Sequence, residues 1–394
     1  MDFELKEEQT LLRDMVSRFF TDTLPFEKRQ EIITSSPGYS SSQWSALADL
    51  GVLSLPLSED AGGLGGSAVD TMLIMEQMGR ALFTGPYVGT VLLAARLLEW
   101  ADGSEQATSV LEEAMQGRST LAFAYAEREA GYEITGAGLW AEPDGDGFRL
   151  NGAKCAVFHA DTADRLVVLA RTAGQAGRTA GLSLFLVPCD APGVSMVAYG
   201  TQDGARAADV AFSDVIVARA DVIGRVGDMH DAVACVLDQA TAALIAEASG
   251  IMWAVYELTL DYMKTRSQFG VTLGSFQALQ HRMVDIYMMC EMAQSMAVAA
   301  AVACDSESPV QRRLAVSAAK SLIGRYGRKV GQEGIQLHGG IGMTMDVPVG
   351  HYFKRLCMID ASFGDVAWHE ARHALEGTKP ASLSTTLSSS LSEP

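Results

Sequence analysis

The sequence predicts an α+β protein in three consecutive parts: helical, then β, then helical again. Three observations predict it. Residues 1–115 carry apolar groups close to a 3.6-residue period, Leu121 to Gly224 breaks into short alternating or β-branched runs, and from Asp228 to about Leu375 long helical spacing returns. In the first part Leu5, Leu11, Leu12, Met15, Val16 and Phe19 form one face, and a second helical segment spans Trp44 to Leu55. The Gly-rich run Asp60 to Ser67 lacks the GK[ST] ending of a phosphate loop and follows no strand, so it reads as a tight connection before the helix over Val69 to Leu82. The middle part holds roughly eight strands (LAFAYAE, FRLNGAKCAVF, DRLVVLAR, LSLFLVP, VSMVAY, ADVAFSDVIV among them) with no helices between them, which argues against a doubly wound nucleotide fold. In the third part Ser275 to Ser308 contains neither Gly nor Pro and would span about 50 Å as one helix. Its stripe of Met283, Met288, Met289, Met292 and Met296 reads as adaptable core packing. The parts divide as 1–118, 119–226 and 227–377, followed by a Ser-rich tail, 378–394, with too few large apolar groups to fold.

The chain has 394 residues, 48% of them hydrophobic and 20% charged, which excludes wholesale disorder. Thirty Lys+Arg against 48 Asp+Glu leave a formal charge of -18, which disfavours nucleic acid or an anionic membrane as the main partner. Local cations can still hold an anionic ligand on such a protein. Cys155, Cys189, Cys235, Cys290, Cys304 and Cys357 stand singly, so reduced thiols are expected and neither a zinc site nor a disulfide framework. The start, MDFELKEEQTLLRD, is an acidic amphipathic helix and no signal peptide. The apolar stretch Met296 to Cys304 is far short of a bilayer span. A cytoplasmic enzyme-sized protein is expected.

Two short catalytic patterns are set aside on context. His369-Glu370-Ala371-Arg372-His373 matches H-E-x-x-H but lacks a credible third zinc ligand, so no metal is expected. Ser317-Ala-Ala-Lys320 matches S-x-x-K but has no companion motifs.

Five strings in order resemble the acyl-CoA dehydrogenase family over residues 1–376: Asn151-Gly-Ala-Lys154, Phe185-Leu-Val-Pro188, Pro192-Gly-Val194, Arg266-Ser-Gln-Phe269-Gly270 with Phe276-Gln277, and Gln336-Leu-His-Gly339-Gly340-Ile-Gly342. The resemblance implies a helical N-terminal domain, a β-barrel or sandwich, and a long four-helix bundle. It also implies FAD, an acyl-CoA substrate, an electron-transfer flavoprotein as acceptor, and α,β-dehydrogenation by a carboxylate base with hydride transfer to the flavin. Arg266, Phe269, Gln277, Gln336, Gly339 and Gly340 correspond to residues that reach across a subunit interface to the ADP half of a neighbour's FAD. The types suit that role: a guanidinium for pyrophosphate, and glycines for close backbone approach.

The sequence departs from the family pattern at the chemistry. The C-terminal Tyr-Glu-Gly string reads Phe363-Gly364-Asp365, and the alternative Leu-Asp-x-Glu-Arg string reads Leu237-Asp238-Gln239-Ala240-Thr241. Neither expected base is present. Asp365, next to the first position, and Glu247, two helical turns beyond Ala240, are the candidate substitutes. On the flavin-ring side the family's Thr and Ser appear as Ala126 and Tyr132, and its Trp-Ile-Thr-Asn as Ala156-Val157-Phe158-His159. The elements donated to a neighbour are kept while those for the chain's own flavin ring are eroded. That pattern resembles the small-subunit branch: pimeloyl-CoA dehydrogenase small subunits and the partner chains of steroid dehydrogenases, which assemble as α2β2 tetramers. The leading expectation is therefore a subunit completing a partner's FAD site. A self-sufficient homotetramer using Asp365 and a flavin-free binding or scaffold subunit are the alternatives.

Overall fold

The computed structural model describes residues 5–101 and 104–378, so all of the Ser-rich tail beyond Thr378 lies outside the described residues. The first part is helical: α1 (Glu7–Thr23), α2 (Phe26–Thr34), α3 (Ser41–Asp49), α4 (Ala68–Ala81), α5 (Arg96–Leu98) and α6 (Glu105–Met115), with a π-helical segment, Val88–Ala95, running straight into α5. Serine caps start three of them: the Ser40, Ser67 and Ser104 hydroxyls accept from the backbone N–H of Gln43, Asp70 and Ala107. The expected helix over Trp44 to Leu55 is shorter than the sequence suggests. It stops at Asp49, because the Val52 N–H turns back to the Leu47 carbonyl (2.9 Å) and leaves residues 51–57 as turns. The Gly-rich run is the connection it was expected to be, leading into the Ser67 cap of α4.

The middle part contains eight strands: β1 (Leu121–Ala124), β2 (Trp140–Asp144), β3 (Gly147–Phe158), β4 (Arg165–Arg171), β5 (Leu182–Pro188), β6 (Val194–Gly200), β7 (Arg206–Val217) and β8 (Val222–Ile223). They form one mixed sheet in the order β6-β7-β3-β2-β4-β5-β8, with β1 parallel to β4. Strands β4 and β5 read as unbroken apolar runs because both their faces are covered. Leu166, Val168 and Phe185 enter a core inside the β part, whereas Val167, Leu169 and Leu184 enter the core shared with the helices. The long β3–β7 pair slips register between Lys154 and Val157, leaving Cys155 and Ala156 bulged and Ala156 at a φ of +51°.

The third part comprises α7 (His230–Thr265), a small hairpin of β9 (Ser267–Gln268) and β10 (Val271–Thr272), α8 (Gln277–Cys304), α9 (Pro309–His338), α10 (Pro348–Ala361) and α11 (Val366–Gly377). Helix α7 is the central post. It crosses α4 closely, because Gly79 and Gly250 leave room for backbone: a Cβ on either would stand 2.1 Å from a carbonyl of the other helix, that of Glu247 or Glu76. Helices α7 and α8 are each long and apolar enough to cross a bilayer by length and composition alone. The most apolar window of α7 is 78% buried within the protein, that of α8 only 33%. The methionine stripe divides accordingly. Met283 is buried, whereas Met288 and Met292 face outward, so core packing accounts for only part of it.

Candidate active site

Where the β part meets the helices lie two neighbouring cavities. The first, about 340 Å³, is aromatic: Phe123, Tyr125, Tyr132, Phe158 and Phe363 line it, with Ala126 and the bulged Cys155 and Ala156. The second, about 510 Å³, is charged: His230, Asp238, Arg313, Arg372 and Glu376 line it, with Leu237, Thr241 and Trp368. Tyr132 and Phe363 belong to both walls.

The floor of the aromatic cavity is set by a buried ion pair. Lys154 donates to Glu127 at 2.6 Å and to the Tyr125 carbonyl at 3.1 Å, while Glu127 also accepts from the N–H groups of Gly138 (2.7 Å) and Leu139 (3.0 Å). Burial lowers the Lys154 pKa, and Glu127 opposes that. The pair ties the Asn151-Gly-Ala-Lys154 stretch of β3 to Tyr125, just past the end of β1.

Glu247 and Asp365 sit in different surroundings. Glu247 is 2% exposed and both of its oxygens are taken by Arg355 of α10, from Nε at 2.5 Å and from Nη2 at 2.7 Å. The remaining nitrogen of Arg355 donates to buried Asp203 at 2.9 Å. Burial alone would lower the Arg355 pKa; Glu247 and Asp203 outweigh it and raise it. Asp365 caps α11, accepting from the Trp368 N–H at 2.9 Å. The other carboxylates on the two cavities are also engaged. Glu133 accepts from Trp368 Nε1 (2.9 Å), Asp238 from Arg312 (3.2 Å) and Arg372 (2.6 Å), and Glu376 from Arg313.

The two patterns set aside as chemistry converge on the loop after α10. Lys320, fully buried on α9, donates to the carbonyls of Asp360 (3.0 Å), Ser362 (3.0 Å) and Gly364 (2.5 Å). Burial pushes its pKa down to about 8, against the raising effect of Asp360 and Asp365. His369 lies between Ser317 Oγ and the Phe363 carbonyl, 3.2 Å from each. The carbonyl can only accept, which places the proton on Nε2 and leaves Nδ1 to accept from Ser317. Burial, then Lys320 and Arg372, push the His369 pKa down to about 3. The clamped loop is bent sharply, with Phe363 at a φ of +58° and Gly364 at +114°. Among the described residues no group of three or more His, Cys, Asp or Glu is arranged to hold a metal.

Arg266, Phe269, Gln277, Gln336, Gly339 and Gly340 lie elsewhere, all exposed on one outward face where the end of α7 meets the end of α9. Tyr262 stacks on His338 at 4.5 Å and holds those ends together. Phe269 is 92% exposed, and a Cβ on Gly339 or Gly340 would meet nothing within 4 Å. Arg266 makes no ion pair among the described residues. From Thr241, in the charged cavity, to Arg266 runs about 37 Å of α7. The face suits the ADP half of a dinucleotide held by another chain: a free guanidinium, an open aromatic face and bare backbone.

Comparison with known proteins agrees with this layout. Residues 6–118, 122–215 and 230–364 match the families described as acyl-CoA dehydrogenase N-terminal, middle and C-terminal domains. The chain is 30% identical to the acyl-CoA dehydrogenase IpdE2 of Mycobacterium tuberculosis, covering 89% of this chain and 91% of that one. It belongs to the acyl-CoA dehydrogenase family. It is also 29% identical to the probable acyl-CoA dehydrogenase YngJ of Bacillus subtilis, over 92% of this chain and 96% of the relative. Among solved structures, a variant of the Tcur3481-Tcur3483 steroid ACAD superposes with a TM-score of 0.83 at 29% identity, over 94% and 97% of the two chains. The ChsE4-ChsE5 complex from Mycobacterium tuberculosis superposes at 0.86 and 26% identity, over 97% and 100%. This acyl-CoA dehydrogenase is thus an oxidoreductase acting on CH–CH groups, with FAD as cofactor.

The family's C-terminal base position holds Gly364, and the fold leaves no space to restore a carboxylate there. A Cβ on Gly364 would stand 2.4 Å from Trp368 Cε3 and 2.8 Å from His369 Nε2. Gly364→Ala is expected to lower the unfolding free energy by about 2–4 kcal/mol, from overpacking plus backbone strain. Gly364→Glu is expected to do the same without producing substrate bleaching of the flavin. A Gly364→Glu protein of unchanged melting temperature that bleaches with acyl-CoA would refute this.

Sequence reasoning missed Arg355 and the joint role of Ser317, Lys320 and His369. The signal for the latter was the two short motifs, whose Ser317, Lys320 and His369 are all buried.

Proposed function

We propose that this chain is a subunit of an FAD-dependent acyl-CoA dehydrogenase that works beside a homologous partner chain, completing the partner's FAD site and supplying no base of its own. One observation carries the reading: the carboxylates lining the two cavities accept from cations, from backbone N–H groups or, for Glu133, from an indole N–H, which stabilise the anion and weaken it as a base, and neither Glu247 nor Asp365 lines either cavity. The outward face of Arg266, Phe269, Gln277, Gln336, Gly339 and Gly340 then meets the ADP half of the neighbour's FAD. FAD, when bound, accepts the substrate hydride; this chain's part is to hold and orient the nucleotide. Electrons leave to an electron-transfer flavoprotein.

The exposed side of α8 supports assembly. Val284, Tyr287, Met288 and Met292 form a continuous apolar stripe at helical spacing, wider than a lone soluble helix leaves open to water. A homologous helix is the fitting occupant, and two of the structural neighbours are themselves described as two-component assemblies.

A specific observation favours a second reading. Asp365 stands two residues after Phe363, which lines both cavities, and its charge, after the larger effect of burial, raises the pKa of the Tyr132 phenol. In that reading Asp365 is the base of a self-sufficient enzyme. Two substitutions separate the readings in the co-purified assembly. Arg266→Ala is expected to lose most bound flavin, and Asp365→Asn to leave acyl-CoA bleaching of the flavin unchanged. Flavin-loaded chain that bleaches alone, and stops bleaching with Asp365→Asn, overturns the subunit reading. An assembly with no flavin at all supports a scaffold instead.

A further inference from the structure

Among the described residues Tyr132 and Phe363 alone line both the aromatic and the charged cavity, so they stand between the two. Each is braced from outside. Tyr132 packs on Trp368 with ring centres 6.1 Å apart, and Trp368 in turn carries the Arg372 guanidinium 5.3 Å above its ring. Phe363 meets Phe158 at 5.9 Å and Tyr125 at 6.4 Å. Its backbone is held in the left-handed region, where a phenylalanine does not stay unaided. The restraint is the clamp from α9 and α11: Lys320 holds the carbonyls of residues 360, 362 and 364, and His369 holds that of 363. Four of five consecutive carbonyls are thereby fixed by two buried side chains.

We propose that Phe363 is a specificity-determining residue and Lys320 its positioning residue: the clamped phenylalanine closes the charged cavity against the aromatic one and limits how much acyl chain this subunit accepts. This rests on the reading above of an acyl-CoA dehydrogenase subunit without a base, and adds that this chain's own cavities, altered on the flavin side at Ala126 and Tyr132, take the acyl-CoA thioester and no flavin ring. The charged cavity, whose Arg313 and Arg372 are already paired with Glu376 and Asp238, offers polar groups of both signs and suits the amide-bearing arm of such a ligand. The apolar room beyond Phe363 is then out of reach while the wall stands. Removing the ring joins about 340 Å³ to about 510 Å³.

Phe363→Gly tests this, because glycine takes the left-handed backbone without strain. Butanoyl-CoA and hexadecanoyl-CoA are titrated calorimetrically into the purified full chain, wild type and variant, with melting temperature recorded alongside. Hexadecanoyl-CoA is expected to bind Phe363→Gly at least about tenfold more tightly, the effect of burying about two further methylenes, with butanoyl-CoA changed less than about threefold. Lys320→Met is expected to move the ratio of the two affinities the same way. A purely structural role would weaken both ligands together. An unchanged ratio in Phe363→Gly overturns the proposal, and an unchanged ratio in Lys320→Met alone overturns the positioning role. Wild type and variants that bind neither thioester would overturn the acyl-CoA ligand as well, an outcome distinct from a wild type that binds but does not change its preference.

Discussion

Replacing Arg355 by methionine is expected to lower the unfolding free energy by about 3–5 kcal/mol, because it strands two buried anions. Glu247 and Asp203 are 2% and 3% exposed, and Arg355 donates to both oxygens of the first and to one of the second. The site also joins the three parts of the fold. Glu247 comes from α7, Arg355 from α10, and Asp203 from the turn between β6 and β7, whose carbonyl accepts from Arg29 of α2 at 2.7 Å. Arg29 offsets part of the loss at Asp203 only, since its Nε is committed to the Leu82 carbonyl at 2.8 Å and its Nη2 to that of Asp203, leaving Nη1 without a partner, whereas Glu247 has no second hydrogen-bond donor among the described residues. The double variant Arg355→Met/Glu247→Gln is expected to recover a large share of the loss, because an amide can be buried at far lower cost than an unpaired carboxylate. Urea unfolding of the wild type and the two variants measures both effects. A loss below about 1 kcal/mol in the single variant would mean that water reaches the carboxylates, contrary to their burial.

The second large effect is a loss of stability in acid that begins well above the carboxylate range. Burial holds His159 down to about 4 and His369 to about 3, against an ordinary value near 6.5 in the unfolded chain. Between those values the unfolded state binds more protons than the folded one. The stability from these two groups is therefore complete above about pH 6.5 and drains away as pH falls towards 3. Together they account for several kcal/mol, enough to consume much of a typical folding free energy. His338 and His351, also lowered by burial, act in the same direction. His159→Asn and His369→Gln test the assignment. Asparagine accepts the left-handed backbone of position 159, where φ is +53°, and glutamine retains a donor for the Phe363 carbonyl. The double variant is expected to be less stable at pH 7.5, yet to lose clearly less than the wild type between pH 7 and pH 5. A slope equal to that of the wild type would assign the acid loss to carboxylates instead.

Much of the fold was legible in the sequence because local periodicity and burial agree. In α1 the expected face is the inward one for Leu12, Met15, Val16 and Phe19, with Leu11 turned outward; α4 is buried nearly all round between Thr71 and Met75, and the apolar runs of β4 and β5 reflect cores on both sides. The helix over Trp44 to Leu55 misled because Val52, Leu53 and Leu57 are buried from turns, which carry no period. The methionine stripe misled for a related reason: Met288 and Met292 are exposed, and an apolar outward face reads the same in sequence as one directed at the core.

The candidate site divides along the same line. The outward face around Arg266 was readable from motif strings because its residues lie in short contiguous segments. The engagement of Glu247 was not, since Arg355 is 108 residues away and Asp203 is 152 residues from Arg355. Nothing local distinguishes a buried glutamate with a bidentate guanidinium from one poised to take a proton. The H-E-x-x-H and S-x-x-K matches show the converse, since the residues are functional in a structural sense but their partners are backbone carbonyls of residues 360–364.

By itself the sequence determined the order of helical, β and helical parts, the absence of a glutamate at the two positions where the resemblance expects a base, and the presence of the Arg266 and Gly339-Gly340 strings. All are properties of composition and short-range spacing. Only the tertiary structure decided which carboxylates are held by cations, that Gly364 has no space for a side chain, and that Phe363 and Tyr132 divide one cavity from the other. Those depend on groups far apart in the chain meeting in a low-dielectric interior, where a partner a few ångströms away, and not the residue's own identity, sets what it can do.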